Sequence, residues 1–151
     1  MKKFKYRVES YLKYSRHLRD NALKEMQKAL GIKNNLISKL EWMENEMKKS
    51  YLLNSEVGKS ISDIHFINDN NSFMTMLKDQ MASLSNEIRK AEEVYEDRYH
   101  KLLELQKQVK KLELHKENEF NKYKNKMKKL VQKQLDDINS IKVRRNNAES
   151  V

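Results

Sequence analysis

No proline and only two glycines interrupt these 151 residues, and over two long stretches apolar side chains recur every three or four positions. Such spacing gives each helix one narrow apolar stripe, which has to be buried against another stripe. Long helix on long helix is the arrangement that follows, rather than layers around a thick core. Charged residues make up 36% of the chain and hydrophobic residues 38%, so the surface available for burial is a seam. The sustained periodicity separates this chain from a disordered one of similar charge.

The rhythm fails in one interval, residues 54–72, NSEVGKSISDIHFINDNNS. There Ser, Asn, Asp and Gly gather, the residues of turns and caps. The reading is all-α: two long helices in an antiparallel coiled-coil hairpin that reverses at this segment. One coiled-coil domain, residues 1–151, is expected to comprise a helix over about 3–53, a turn over about 54–71, a longer helix over about 72–144 and a frayed tail at 145–151. A cap among Asn70, Asn71 and Ser72 would open the second helix. The Phe66-Ile67 pair in the turn is expected to cover the end of the seam.

The first stripe reads Phe4, Val8, Tyr11, Leu18, Ala22, Met26, Ala29, Leu36, Leu40, Met43, Met47. Its paired steps of four at 18, 22 and 26 predict a stutter. Ser15 and Lys33 fall on the stripe as weak points, and Gly31 costs about 1 kcal/mol relative to Ala, so a looser seam is expected there. The second stripe reads Phe73, Leu77, Met81, Leu84, Ile88, Ala91, Tyr95, Tyr99, Leu102, Leu105, Val109, Leu112. ELHKENE, residues 113–119, then interrupts it with a single apolar residue, and it resumes as Phe120, Tyr123, Met127, Leu130, Gln134, Ile138 and Ile141.

At 1.5 Å per residue the helices would span roughly 75 and 110 Å. Reversal at 54–72 sets Met47 opposite a residue near 75 and Phe4 opposite one near 118. The second helix therefore overhangs, and residues 120–142 keep an apolar stripe without an intramolecular partner. Such a face usually docks on another surface; self-association through it is the alternative.

The formal charge of +10 is split. Residues 1–33 carry ten Lys/Arg against three Asp/Glu, residues 34–100 eight against twelve, and residues 101–151 fourteen against seven. A hairpin brings the two basic parts together and leaves an acidic tip, so a polarised rod with a different partner at each end is expected.

Little in the sequence points to catalysis. Gly58-Lys59-Ser60 lacks the earlier glycine of a phosphate loop, since position 53 is Leu, and no strand precedes it. His17, His65, His100 and His115 have no metal-ligand spacing. Basic residues interleave with Phe4, Tyr6, Tyr11 and Tyr14, a pattern that also suits base stacking, but the stripe already uses Phe4 and Tyr11. The reading is a non-enzyme with no cofactor and no metal. There is no cysteine, as suits a reducing compartment. No run of signal-peptide length and no window of roughly 18 apolar residues is present, so the chain reads as soluble or at most peripheral.

Three stretches carry a family resemblance. FKYRVESYLKYSRHLRDNAL at the start, VGKSISDIHFINDNNSFMTMLKDQM in the middle and ENEFNKYKNKMKKLVQKQLDDINSIKVRR at the end resemble the corresponding parts of FliJ, the coiled-coil protein of flagellar export. Ile138 stands where that family often has Glu. The resemblance implies an antiparallel coiled coil similar to the central stalk of rotary ATPases. Its implied partners are the hexameric export ATPase and its regulator, the cytoplasmic domain of the export-gate membrane protein, and export chaperones. It also implies a cytoplasmic protein, peripheral at the inner membrane.

By position, the family's gate-binding surface maps to Leu36, Leu40, Met43 and Met47 and to Phe73, Leu77, Gln80 and Leu84, with Gln80 replacing a small residue. Together with the charge split, the resemblance assigns the overhang (Phe120, Tyr123, Met127, Leu130, Ile138 and Ile141) to the ATPase and the acidic tip to the gate. Stalk proteins of virulence type III secretion share these features. A basic coiled coil that binds nucleic acid or anionic membrane is the reading from another class, although no nucleic acid is expected.

Overall fold

The computed structural model describes residues 3–58 and 61–148. Among them the chain forms two helices, α1 at Glu9–Glu56 and α2 at Ile61–Ala148, and no strand. The helices pack antiparallel: Lys33 meets Glu92 while Asn70 meets Ser50. The fold is thus the helical hairpin required by two narrow stripes, with the second helix the longer. Contacts cluster into two compact units, Arg19–Glu104 and Met1–Leu18 with Leu105–Val151.

In the unit Arg19–Glu104, the buried side chains of α1 are Ala22, Ala29, Met47 and Ser50, and those of α2 are Met74, Leu77, Leu84 and Leu102. Half-buried Arg19, Met26, Lys33, Leu36, Leu40, Met43 and Asn54 complete the α1 side. With them the steps alternate three and four without a break, the spacing of a heptad seam. The stutter expected at 18, 22 and 26 is absent, because Arg19 rather than Leu18 leads into Ala22. Arginine keeps such a position by burying its stem while its guanidinium reaches Asp20 Oδ1 at 2.8 Å. Lys33 is likewise no gap, since its ammonium pairs with Glu92 at 2.8 Å, and α1 runs through Gly31 as helix.

The polar interval proves shorter as a turn than its composition suggested. Residues 61–72 are helical, so α2 begins at Ile61 and not at a cap among Asn70, Asn71 and Ser72. Those amides are spent across the seam. Asn70 Nδ2 donates to Ser50 O at 2.8 Å and to Asn54 Oδ1 at 2.7 Å, and Asn54 Nδ2 donates to Asn71 Oδ1 at 2.9 Å. Ser72 and Thr75 donate to the carbonyls of Asn68 and Asn71 one turn back, a bond compatible with helix. Of the aromatic-Ile pair, Ile67 is half-buried whereas Phe66 is 44% exposed. Lys59, Ser60 and the tail residues 149–151 lie outside the described residues.

In the unit formed by Met1–Leu18 and Leu105–Val151, Tyr6, Leu12 and Val109 make the core, with Phe4 and Leu112 against it. Leu12 is fully buried and Tyr11 is 55% exposed, so the seam runs one residue later than the expected Val8 and Tyr11. Ser15, 3% exposed, belongs to it. Helix α1 starts at Glu9 rather than near Lys3. Phe4 and Tyr6 both turn onto α2, and residues two apart share a side in an extended chain but not in a helix. Tyr6 is anchored by its hydroxyl, 3.3 Å from Leu112 O and 2.8 Å from His115 Nδ1.

The polar stretch 113–119 does not end the pairing. Arg16 donates twice to Glu113 Oε1, at 3.0 and 2.6 Å. Lys116 reaches Glu9 at 2.6 Å and lies over the Tyr6 ring. Phe4 then packs edge-on against Phe120, centroids 5.3 Å apart, and tilted against Tyr123 at 5.5 Å. Phe120 and Tyr123 are therefore partnered, and the uncovered length of α2 begins later than residue 120.

Candidate docking surfaces

The eight residues mapped to a gate-binding surface divide between the seam and the solvent. Met47, Leu77 and Leu84 are buried, and Leu36, Leu40 and Met43 are half-buried on the same seam. Met47 and Leu77 share one cluster with Met74, against which Met43 and Met81 pack. A side chain already covered by the opposing helix cannot cover a partner unless the helices part. Phe73, 37% exposed, and Gln80 are the two that face water.

The exposed neighbours of Phe73 and Gln80 define a different surface. Leu53, Phe66, Phe73 and Gln80 each immediately precede a seam residue (Asn54, Ile67, Met74 and Met81). In an antiparallel pair such positions flank the seam on one side. Ile32 and Val94, which precede Lys33 and Tyr95, show this directly by lining one shallow groove with Ala29, Lys90 and Ala91. Trp42 and Met76, four residues before Glu46 and Gln80, extend the flank by a turn. Trp42 is 57% exposed, Met76 48% and Leu53 46%. Reading one stripe per helix missed these three. The available signal was a large apolar side chain, here the sole tryptophan, standing off the stripe in a charged helix.

In the other unit the predicted overhang residues also divide. Phe120 and Tyr123 pack on Phe4, and Met127 is half-buried. From Lys128 to Arg145 every residue is exposed. Leu130, Ile138 and Ile141 lie there, joined by Val131 and Leu135, which the stripe had omitted. Residues 121–145 carry nine Lys/Arg against two Asp. Just before them, a hydrogen bond from Lys122 at 2.7 Å holds the Glu119 carboxyl below the ordinary glutamate range.

Among the described residues no three His, Cys, Asp or Glu side chains stand close enough to hold a metal ion. No described helix is long and apolar enough to cross a membrane. Both surfaces are apolar faces bordered by charge, which is chemistry for recognition.

A family model described as Flagellar FliJ protein covers residues 4–148. No curated protein and no solved structure matches the chain.

Proposed function

The chain belongs to the flagellar FliJ family, and from that premise we propose that it is a non-catalytic stalk and adaptor of flagellar protein export. Its partners in this reading are the export ATPase hexamer with its regulator, the cytoplasmic domain of the export-gate membrane protein, and export chaperones. It would work on the cytoplasmic side, peripheral at the inner membrane.

One observation carries the reading: the two uncovered apolar faces differ in charge. The flank holding Trp42, Phe73 and Met76 lies in the stretch 34–100, where twelve Asp/Glu outnumber eight Lys/Arg. The face from Leu130 to Ile141 lies in a stretch with nine basic residues against two acidic ones. Opposite charge around similar apolar faces selects different partners. The first flank is assigned to the gate, through Trp42, Phe73, Met76 and Gln80, with Leu36, Leu40, Met43, Met47, Leu77 and Leu84 holding the helices together beneath it. The second face is assigned to the ATPase.

The test is binding of the full chain to the cytoplasmic gate domain. Trp42→Ala with Met76→Ala removes exposed side chains, so folding should be unchanged while affinity falls on the order of tenfold or more. Unchanged affinity in that folded variant would refute the gate assignment.

A further inference from the structure

We propose that residues 124–145 of α2 form an interfacial helix that binds anionic bilayers, a property that does not depend on the stalk reading. At 3.6 residues per turn, Leu130, Val131, Leu135, Ile138 and Ile141 fall within an arc of about 140°. Lys128 borders one edge of that arc, with Lys124 and Lys142 just inside it, and Lys126, Lys133 and Arg144 border the other; Gln134 and Arg145 are the polar residues nearest its middle. The opposite pole carries both signs, with Lys129 beside Asp136 and with Ser140, Gln132, Asn125 and Val143 around them. From residue 128 to 145 all these side chains are exposed, so α1 uses none of that length.

Two basic rows on either side of an apolar arc lie at one depth when a helix rests half-sunk in a headgroup layer. The lysine stems then run along the hydrocarbon boundary while the ammonium groups reach lipid phosphates. The net charge of the segment draws it to an acidic surface. A second copy is disfavoured as the occupant, because pairing two such faces would bring like charges together across the contact. Nucleic acid would take up the charge yet leave five apolar side chains in water. Asp137 borders the arc and weakens the fit, which supplies a variant of opposite sign. Where the ATPase assignment also holds, lipid and ATPase compete for this face.

The experiment floats the full chain with vesicles of phosphatidylcholine, with or without roughly a third phosphatidylglycerol. Flotation is expected with the anionic vesicles alone, falling on the order of tenfold or more between about 50 and 200 mM salt. Leu135→Asn with Ile138→Asn leaves charge and the covered surface unchanged, so circular dichroism should match the parent while flotation falls on the order of tenfold. Asp137→Asn should float better. The proposal is overturned by no flotation, by equal flotation with neutral vesicles, or by an Asn pair that floats like the parent. It is also overturned if sedimentation shows a dimer that the Asn pair dissolves, since a second copy would then cover the face. These readouts involve no export component, so they fail or succeed apart from the stalk reading.

Discussion

Lys33 Nζ sits 2.8 Å from Glu92 Oε1 and 5.2 Å from the centre of the Tyr95 ring, at a position where a heptad seam expects an aliphatic side chain. The hydrogen bond that Lys33 donates to Glu92 holds its ammonium above its ordinary pKa against partial burial. A cation at one seam position fixes register at a cost in stability. Lys33→Leu is therefore expected to raise the melting temperature while size-exclusion chromatography shows added oligomers. A lower melting temperature with an unchanged elution profile would mean that the ion pair is chiefly stabilising.

Leu12 and Tyr11 separate the two possible registers of the amino-terminal seam. Leu12→Ala empties a fully buried position and should cost about 2 to 4 kcal/mol in urea denaturation. Tyr11→Ala, at a side chain 55% exposed, should change stability by less than about 0.5 kcal/mol. The reverse order would restore the register read from the stripe.

Gly31 is a helical position with open space. A Cβ there would meet nothing within 4 Å, and no described residue has a positive φ. Gly31→Ala should add about 0.5 to 1 kcal/mol through backbone entropy. Thermal denaturation shows it as a higher midpoint, and a loss would point to a neighbour the alanine disturbs.

Acid should loosen the amino-terminal pairing. The Glu9 carboxyl is held below the ordinary glutamate range, first by its hydrogen bond with Lys116, and Glu25 likewise by Lys28. A depressed folded-state pKa contributes stability above the unfolded value, and that contribution is lost as pH falls through the folded one. Stability should thus decline below about pH 4.3. Lys33 has the opposite sign: its contribution is full at neutral pH and is lost only as pH rises through its raised value. In a pH series of melting curves, Glu9→Gln should flatten the acid limb; an unaltered limb would show that this pair does not contribute.

Much of the pairing was legible in the sequence. Leu77, Leu84, Leu102 and Val109 were on the stripe and are buried. Two of the errors fall where two apolar residues are adjacent. At Tyr11-Leu12 and Phe73-Met74 the stripe took the aromatic, but the closely spaced seam takes the slimmer side chain. At the turn, Asn and Ser were read by local propensity, although Asn54, Asn70 and Asn71 bond across to the other helix, and no local rule registers a partner nearly 20 residues away. Trp42 escaped because a stripe reports only what the partner helix covers.

The most direct measurement titrates the full chain into its cognate export ATPase hexamer and follows the complex by sedimentation. About one chain per ring is expected, as for a central stalk, with binding weakened on the order of tenfold by Leu135→Asn with Ile138→Asn and unaffected by Trp42→Ala. No complex at micromolar concentration, or one that the Asn pair leaves intact, would contradict the assignment.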